Sequence, residues 1–229
     1  MELINIQYRF LLHDGRELGF KLRLDPHSIE AVEVAPDPAP AWTALGFYTC
    51  GNCPLEPGSR PYCPAALRLV KIVDKCAGLD PYAPAQIEVT TPERSLRAAR
   101  PLHKGLASLV GLIMATSGCP HTAFLKPMAR FHLPFASDEE ALYRASSMYL
   151  LAQYFLNKQG RTPDLELDGL AESYRKLQAV NTAMANRLRA ASKETASQAI
   201  ASLDLFSHIL PYDIKGSLAK VRRLFEAYL

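Results

Sequence analysis

Cysteine is the residue type in this chain best placed to do chemistry: YTCGNCP at residues 48–54 holds Cys50 and Cys53, YCPAA at 62–66 holds Cys63, and SGCPH at 117–121 holds Cys119. A fifth cysteine, Cys76, lies within an apolar helical pattern and reads as core packing. A redox Cys-x-x-Cys lowers the pKa of its first thiol by setting it at a helix N-terminus. Here Pro54, Pro57 and Gly58 follow Cys53 and rule against such a helix. Metal ligation suits the pattern better. Gly51 and Asn52 tolerate the positive φ of a tight turn, which would aim Cys50 and Cys53 at one ion. Cys63 and Cys119 each precede a proline, and Cys63-Pro64 opens a predicted helix whose dipole favours an anionic sulfur. Cys50, Cys53, Cys63 and Cys119 thus supply four thiolates, the set that closes a tetrahedral zinc site or holds an iron–sulfur cluster. His121, two residues after Cys119, is an alternative fourth ligand that zinc accepts readily. Trp42, Phe47, Tyr48 and Tyr62 are available to shield a cluster, so both metals stay open.

A second concentration of polar groups, SGCPHTAFLKPMARFHLPFAS, brings His121, Lys126, Arg130 and His132 among apolar residues and prolines. A histidine near an arginine serves acid–base chemistry or grips an anion, so His121, Arg130 and His132 are the candidate catalytic residues of an alternative reading as an enzyme. The simpler account is a junction whose polar tips reach solvent. Arg94, Arg97 and Arg100, with His103 and Lys104, form the densest basic run. The arginines share a face if helical and split if extended. A solvated face explains them without a phosphate, and no Gly-rich phosphate loop or helix-turn-helix accompanies them.

The elements that must position these groups are legible from periodicity. INIQYRFLL and ELGFKLRL alternate as two half-buried strands around Asp14-Gly15. A two-residue loop would set their apolar sets on opposite faces, so an odd loop is expected, pairing Leu12 with Leu18, Phe10 with Phe20 and Tyr8 with Leu22. Helices are expected over 65–77 and 102–116, with a third strand over 86–90 between them. The intervening stretch 36–64 is too rich in proline and glycine for either element and needs another source of order. From Ser137 the signals are helical. Ser137 and Glu140 form a capping box before ALYRASSMYLLAQYFLN. A long helix over 168–192 carries Leu170, Tyr174, Leu177, Val180, Met184 and Leu188 in one stripe, and two more helices are expected over about 194–209 and 212–228. The near-heptad spacing of that stripe also suits a homodimer.

The fold class expected is therefore α+β: an N-terminal β-hairpin and small antiparallel sheet with a cysteine-rich loop, then a C-terminal helical bundle. A soft boundary near residue 136 divides 1–136 from 137–229, within what can be one continuous folding unit. A net charge of +3 is too small to imply a nucleic-acid or membrane partner, since nucleic acid usually requires a concentrated basic surface, and no apolar run approaches the roughly 20 residues that cross a bilayer. The N-terminal MELINIQYRF lacks the pattern of an export signal, and free thiols fit a reducing compartment, so a cytoplasmic location is expected. The hairpin, YTCGNCPL with YCPAALRLVKIVD, and GLIMATSGCPHTAFLKPMARFHLPFAS with SMYLLAQYF resemble an uncharacterised family of bacterial proteins of unknown function. That resemblance implies bacterial origin and a single folding unit, and no activity. The function expected is a metal-thiolate protein with a structural or redox- or metal-sensing site.

Overall fold

Alternating side chains build the sheet. In the computed structural model, which describes residues 2–34, 36–191, 193, 195–201 and 214–229, β1 (Ile4–Leu12) buries every second residue. Its neighbours are β2 (Glu17–Leu24) on one side and β3 (Pro84–Thr90) on the other, and β4 (Ser95–Pro101) completes an antiparallel sheet of order β2-β1-β3-β4. The hairpin loop is odd, as expected, but the register is shifted by two from the predicted pairs. Phe10 faces Leu18, Tyr8 faces Phe20 and Ile6 faces Leu22, across a loop of His13, Asp14 and Gly15. A shift of two keeps every apolar side chain on its face, so the hydrophobic pattern cannot distinguish the two registers. The tighter loop closes with Gly15 N–H donating to Leu12 O at 3.0 Å.

The basic run is the largest departure from expectation, because Arg97 and Arg100 lie in β4, with Arg94 just before it and His103 and Lys104 in the helix that follows. The strand's residues are half-buried at best, as suits an edge strand, and Arg97 pairs with Glu88 across β3 at 2.7 Å. Cross-strand pairing with a carboxylate is thus the use the fold makes of Arg97.

Helices cover the buried face of the sheet. α1 (Pro64–Lys75) and α2 (Leu102–Ala115) share one core with β1, β2 and β3. Gly105 marks the close approach: a methyl group there would lie 2.8 Å from a Phe10 ring carbon and nearer still to Ile87. After the short α3 (Lys126–Arg130), the capping box of Ser137 and Glu140 starts α4 (Asp138–Lys158). α5 (Asp168–Ala190) is the hinge of the packing. Leu170, Tyr174 and Leu177 form a small cluster with Leu142 and Ala145 of α4. Val180, Met184 and Leu188, further along the same stripe, join the core of the sheet half. The whole stripe is therefore occupied by internal packing. Helical residues 195–201 and a last helix, Ile214–Val221, with a 3-10 continuation to Tyr228, follow. The middle of the region expected to form the last two helices, 202–213, lies outside the described residues. Among the described residues no helix is long and apolar enough to cross a membrane.

Candidate metal centre

The proline-rich stretch gains its order from a hydrogen-bonded stem. Cys63 N–H donates to Thr43 O at 2.8 Å, Leu45 N–H to Pro61 O at 2.8 Å, and Ala44 bridges Tyr62. The stem sets Cys63 at the N-cap of α1, with Pro64 inside the first turn. At the tip, Cys53 N–H donates to Cys50 O at 3.0 Å, closing Cys50-Gly51-Asn52-Cys53 into a turn. Neither Gly51 nor Asn52 takes the positive φ expected of them. The left-handed residue is Tyr48, at φ 48°, so the chain reverses before the motif and the turn itself stays in ordinary conformations.

Cys119 arrives from the other side of the molecule. Gly118, at φ 84°, lets the chain leave α2 sharply, and the backbone N–H groups of His121 and Thr122 act to lower the Cys119 pKa. N–H donors of this kind favour a thiolate. Burial acts oppositely and dominates, so the Cys119 pKa is raised.

These three segments bring Cys50, Cys53, Cys63 and Cys119 to the wall of one enclosed cavity of about 20 Å³, with His121, Val180, Met184 and Arg187 among the other lining residues. Cys76 lies elsewhere, 1% exposed on the core side of α1. Burial, then the neighbouring Cys63, Cys53 and Cys119, push the Cys50 thiol up to about 12, against the opposing pull of Arg187. Thiols that raise one another's pKa in this way relax when a cation takes the protons' place. All five cysteines are free.

The donor set fits a thiophilic metal, and the cavity exceeds the roughly 10–15 Å³ that one water-sized body needs. Among the described residues, however, no group of three or more His, Cys, Asp or Glu side chains stands ready-made to hold a metal ion. The thiols share a wall without meeting at one point, and a tetrahedral centre with bonds of about 2.3 Å requires them to turn inward.

Two residues around the cavity have contacts that the sequence does not announce. Arg187 is 2% exposed, and its Nη1 donates to Trp42 O and Ala44 O, both at 2.6 Å, tying α5 to the stem. Burial lowers its pKa, while Cys63, Cys50 and Cys53 raise it. Asn52, inside the Cys-x-x-Cys, donates through Nδ2 to Lys176 O at 3.1 Å, and its Oδ1 is buried without a partner. A buried arginine beside several sulfurs is a charge balance that sequence periodicity could show only as one polar break in an apolar stripe.

The histidine and arginine candidates separate. His121 joins the cysteine cavity, where its Nε2 donates to Asn52 O at 2.6 Å, leaving Nδ1 as the nitrogen free to ligate. Arg130 pairs with Glu93 at 3.0 Å and Lys126 with Glu30 at 2.8 Å. His132 meets the buried Tyr8 hydroxyl through Nε2, and burial, then Arg144, bring its pKa down from 6.5 to about 4. It borders a different, open groove of about 680 Å³ between α2, α4 and α5. His121, Arg130 and His132 therefore do not line a common pocket. Of the four aromatic residues near the motif, Tyr48 lines the cysteine cavity although half of it is exposed, whereas Trp42 is buried in the core, Phe47 is partly buried and Tyr62 is exposed, none of these three on the cavity wall.

No curated protein and no solved structure matches the chain. A model of a domain of unknown function (DUF6901) matches residues 6–226, which spans both the cysteine cavity and the groove, and the chain belongs to that uncharacterised family.

Proposed function

We propose that this is a metal-thiolate protein in which Cys50, Cys53, Cys63 and Cys119 hold a metal that ties the cysteine loop and α1 to the joint after α2, as a structural, redox or metal-sensing site. One observation carries the proposal: three cysteines of one loop and Cys119, more than fifty positions further along, line a single cavity, and the fifth cysteine does not. Packing alone gives small apolar residues no reason to be cysteine at each of these four places and at so few others. A single zinc ion is supported by the small cavity volume. The second reading, an iron–sulfur cluster, is supported by Arg187, whose buried cation on the cavity wall would offset the net negative charge of a four-thiolate cluster. A cytoplasmic location goes with this reading, because free thiolates persist in reducing compartments.

An enzyme working through His121, Arg130 and His132 has less support, since the three sit in separate surroundings. Metal analysis of protein purified without oxygen tests the proposal, with His121→Ala beside the cysteine variants. Four-thiolate ligation predicts that His121→Ala keeps its metal while Cys119→Ser loses it. Retention of metal by Cys119→Ser and its loss from His121→Ala would reverse the ligand assignment.

A further inference from the structure

The groove of about 680 Å³ lies outside the cysteine chemistry, and its volume falls within the roughly 300–1,000 Å³ of small-molecule sites. Small residues of α2 open it: Ala107, Gly111 and Ala115 recur every fourth position along one side, facing Leu177 and Tyr174 of α5. Its remaining walls are largely apolar, including Leu125, Met128, Leu133 and Phe135.

The charge on this groove is unbalanced. Arg100, Lys104 and Arg144 line it against the carboxylate of Asp138 alone. None of these three cations forms an ion pair with a described carboxylate. Glu140, one turn before Arg144, turns its carboxylate back to the Ser137 N–H in the capping box. Arg144 is half-buried and anchored: its Nη2 donates to Met128 O at 3.1 Å and Phe131 O at 2.8 Å, which fixes the guanidinium while leaving its other N–H groups for a ligand. A guanidinium held partly out of water without a counter-ion is costly unless an anion joins it. His132 adds no charge here, because burial keeps it neutral at pH 7.

We propose that this groove binds an organic anion, a carboxylate or phosphate monoester head on an apolar body, with the head at Arg144 and Lys104 and the body along the small-residue side of α2. Apolar walls alone would accept a neutral molecule, and cations alone would accept a bare inorganic anion. Their combination selects for both parts in one molecule.

Isothermal titration with octanoate, octyl phosphate, 1-octanol and inorganic phosphate, each below any micellar concentration, separates the contributions. The proposal expects octanoate or octyl phosphate to bind at least about tenfold more tightly than octanol and than inorganic phosphate, and the better of the two identifies the head group. Lys104→Glu reverses an exposed charge without touching the core, and should weaken binding of the preferred anion about tenfold. Arg144→Gln should weaken it further while thermal melting shows the fold retained. Equal binding of octanol, equal binding of inorganic phosphate, indifference to Lys104→Glu, or no binding of any probe would each overturn the proposal. The assay needs no metal, so its outcome is independent of the cysteine site.

Discussion

Val180, Met184 and Arg187 of α5 wall the cysteine cavity, and Tyr174, Leu177 and Asn181 of the same helix wall the groove. One helix thus serves two regions of opposite design. In the first, the space is enclosed, the polar groups are thiols, and the nearby cation is spent on backbone carbonyls of the stem. In the second, the space is open, the walls are largely apolar, and Arg100, Lys104 and Arg144 stand against the single carboxylate of Asp138. The comparison teaches that a small closed site is specified by donor identity, and a large open one by the balance between shape and charge. The first suits a bound ion that becomes part of the fold, and the second suits a ligand that comes and goes.

Removing a thiolate should separate the two regions most strongly. Cys63→Ser or Cys119→Ser is expected to abolish metal binding and with it a stabilisation on the order of 10 kcal/mol, comparable with the whole net stability of a domain. Thermal melting and limited proteolysis between residues 46 and 60 read this loss. Cys76→Ser, buried in the apolar core, is expected to cost only about 1–3 kcal/mol and leave metal content intact. If Cys76→Ser proved as damaging as Cys63→Ser, the distinction between ligand and packing would collapse.

Acid should act next, and on the groove side. His132 has a folded pKa of about 4, below its ordinary value of 6.5. An unfolded chain then binds the proton more readily than the folded one, so the stability from burying the neutral ring is complete above pH 6.5 and is lost as pH falls to about 4. The span corresponds to a contribution on the order of 3 kcal/mol. His132→Gln should flatten this part of the pH–stability curve without affecting metal content, measured at fixed ionic strength by urea unfolding. An unchanged slope would remove the assigned burial of the ring.

Arg187→Gln is expected to cost about 2–3 kcal/mol, because the carbonyls of Trp42 and Ala44 lose a charged donor in a buried place. It should also weaken metal retention against a chelator, sharpening the claim that this cation balances the thiolates. Ser137→Ala should have the smallest effect, about 1 kcal/mol, from the loss of the cap on α4 at the groove's edge. Retained anion binding in this variant would show that the groove depends on its side chains more than on the helix end.

The sequence carried the parts of this arrangement that are local and little of what depends on docking. The four ligand candidates stood out because Cys-x-x-Cys and Cys-Pro are contiguous patterns, and Ser137 with Glu140 predicted their helix end for the same reason. Parity of the hairpin was legible in the alternation of β1 and β2. The offset was not, since Phe10 opposite Leu18 and Phe10 opposite Phe20 bury the same face. β4 escaped notice because an edge strand with only Leu96 and Ala98 partly buried needs no apolar run. Arg187 is the clearest loss: its partners Trp42 and Ala44 lie 145 and 143 positions away, and nothing near it in the chain announces them. The separation of His121 from His132 is equally invisible, because ten intervening residues of turn-rich chain are compatible with one pocket or with two.

X-ray absorption at the metal edge of anaerobically purified wild-type protein tests the central claim most directly, since it counts the ligands as well as detecting the ion. The account predicts about one zinc per chain with four sulfur neighbours at about 2.3 Å, or iron in a sulfur-bridged cluster with terminal sulfur ligands from the same four cysteines. Protein without zinc or iron, or a first shell of nitrogen and oxygen in place of sulfur, would contradict it.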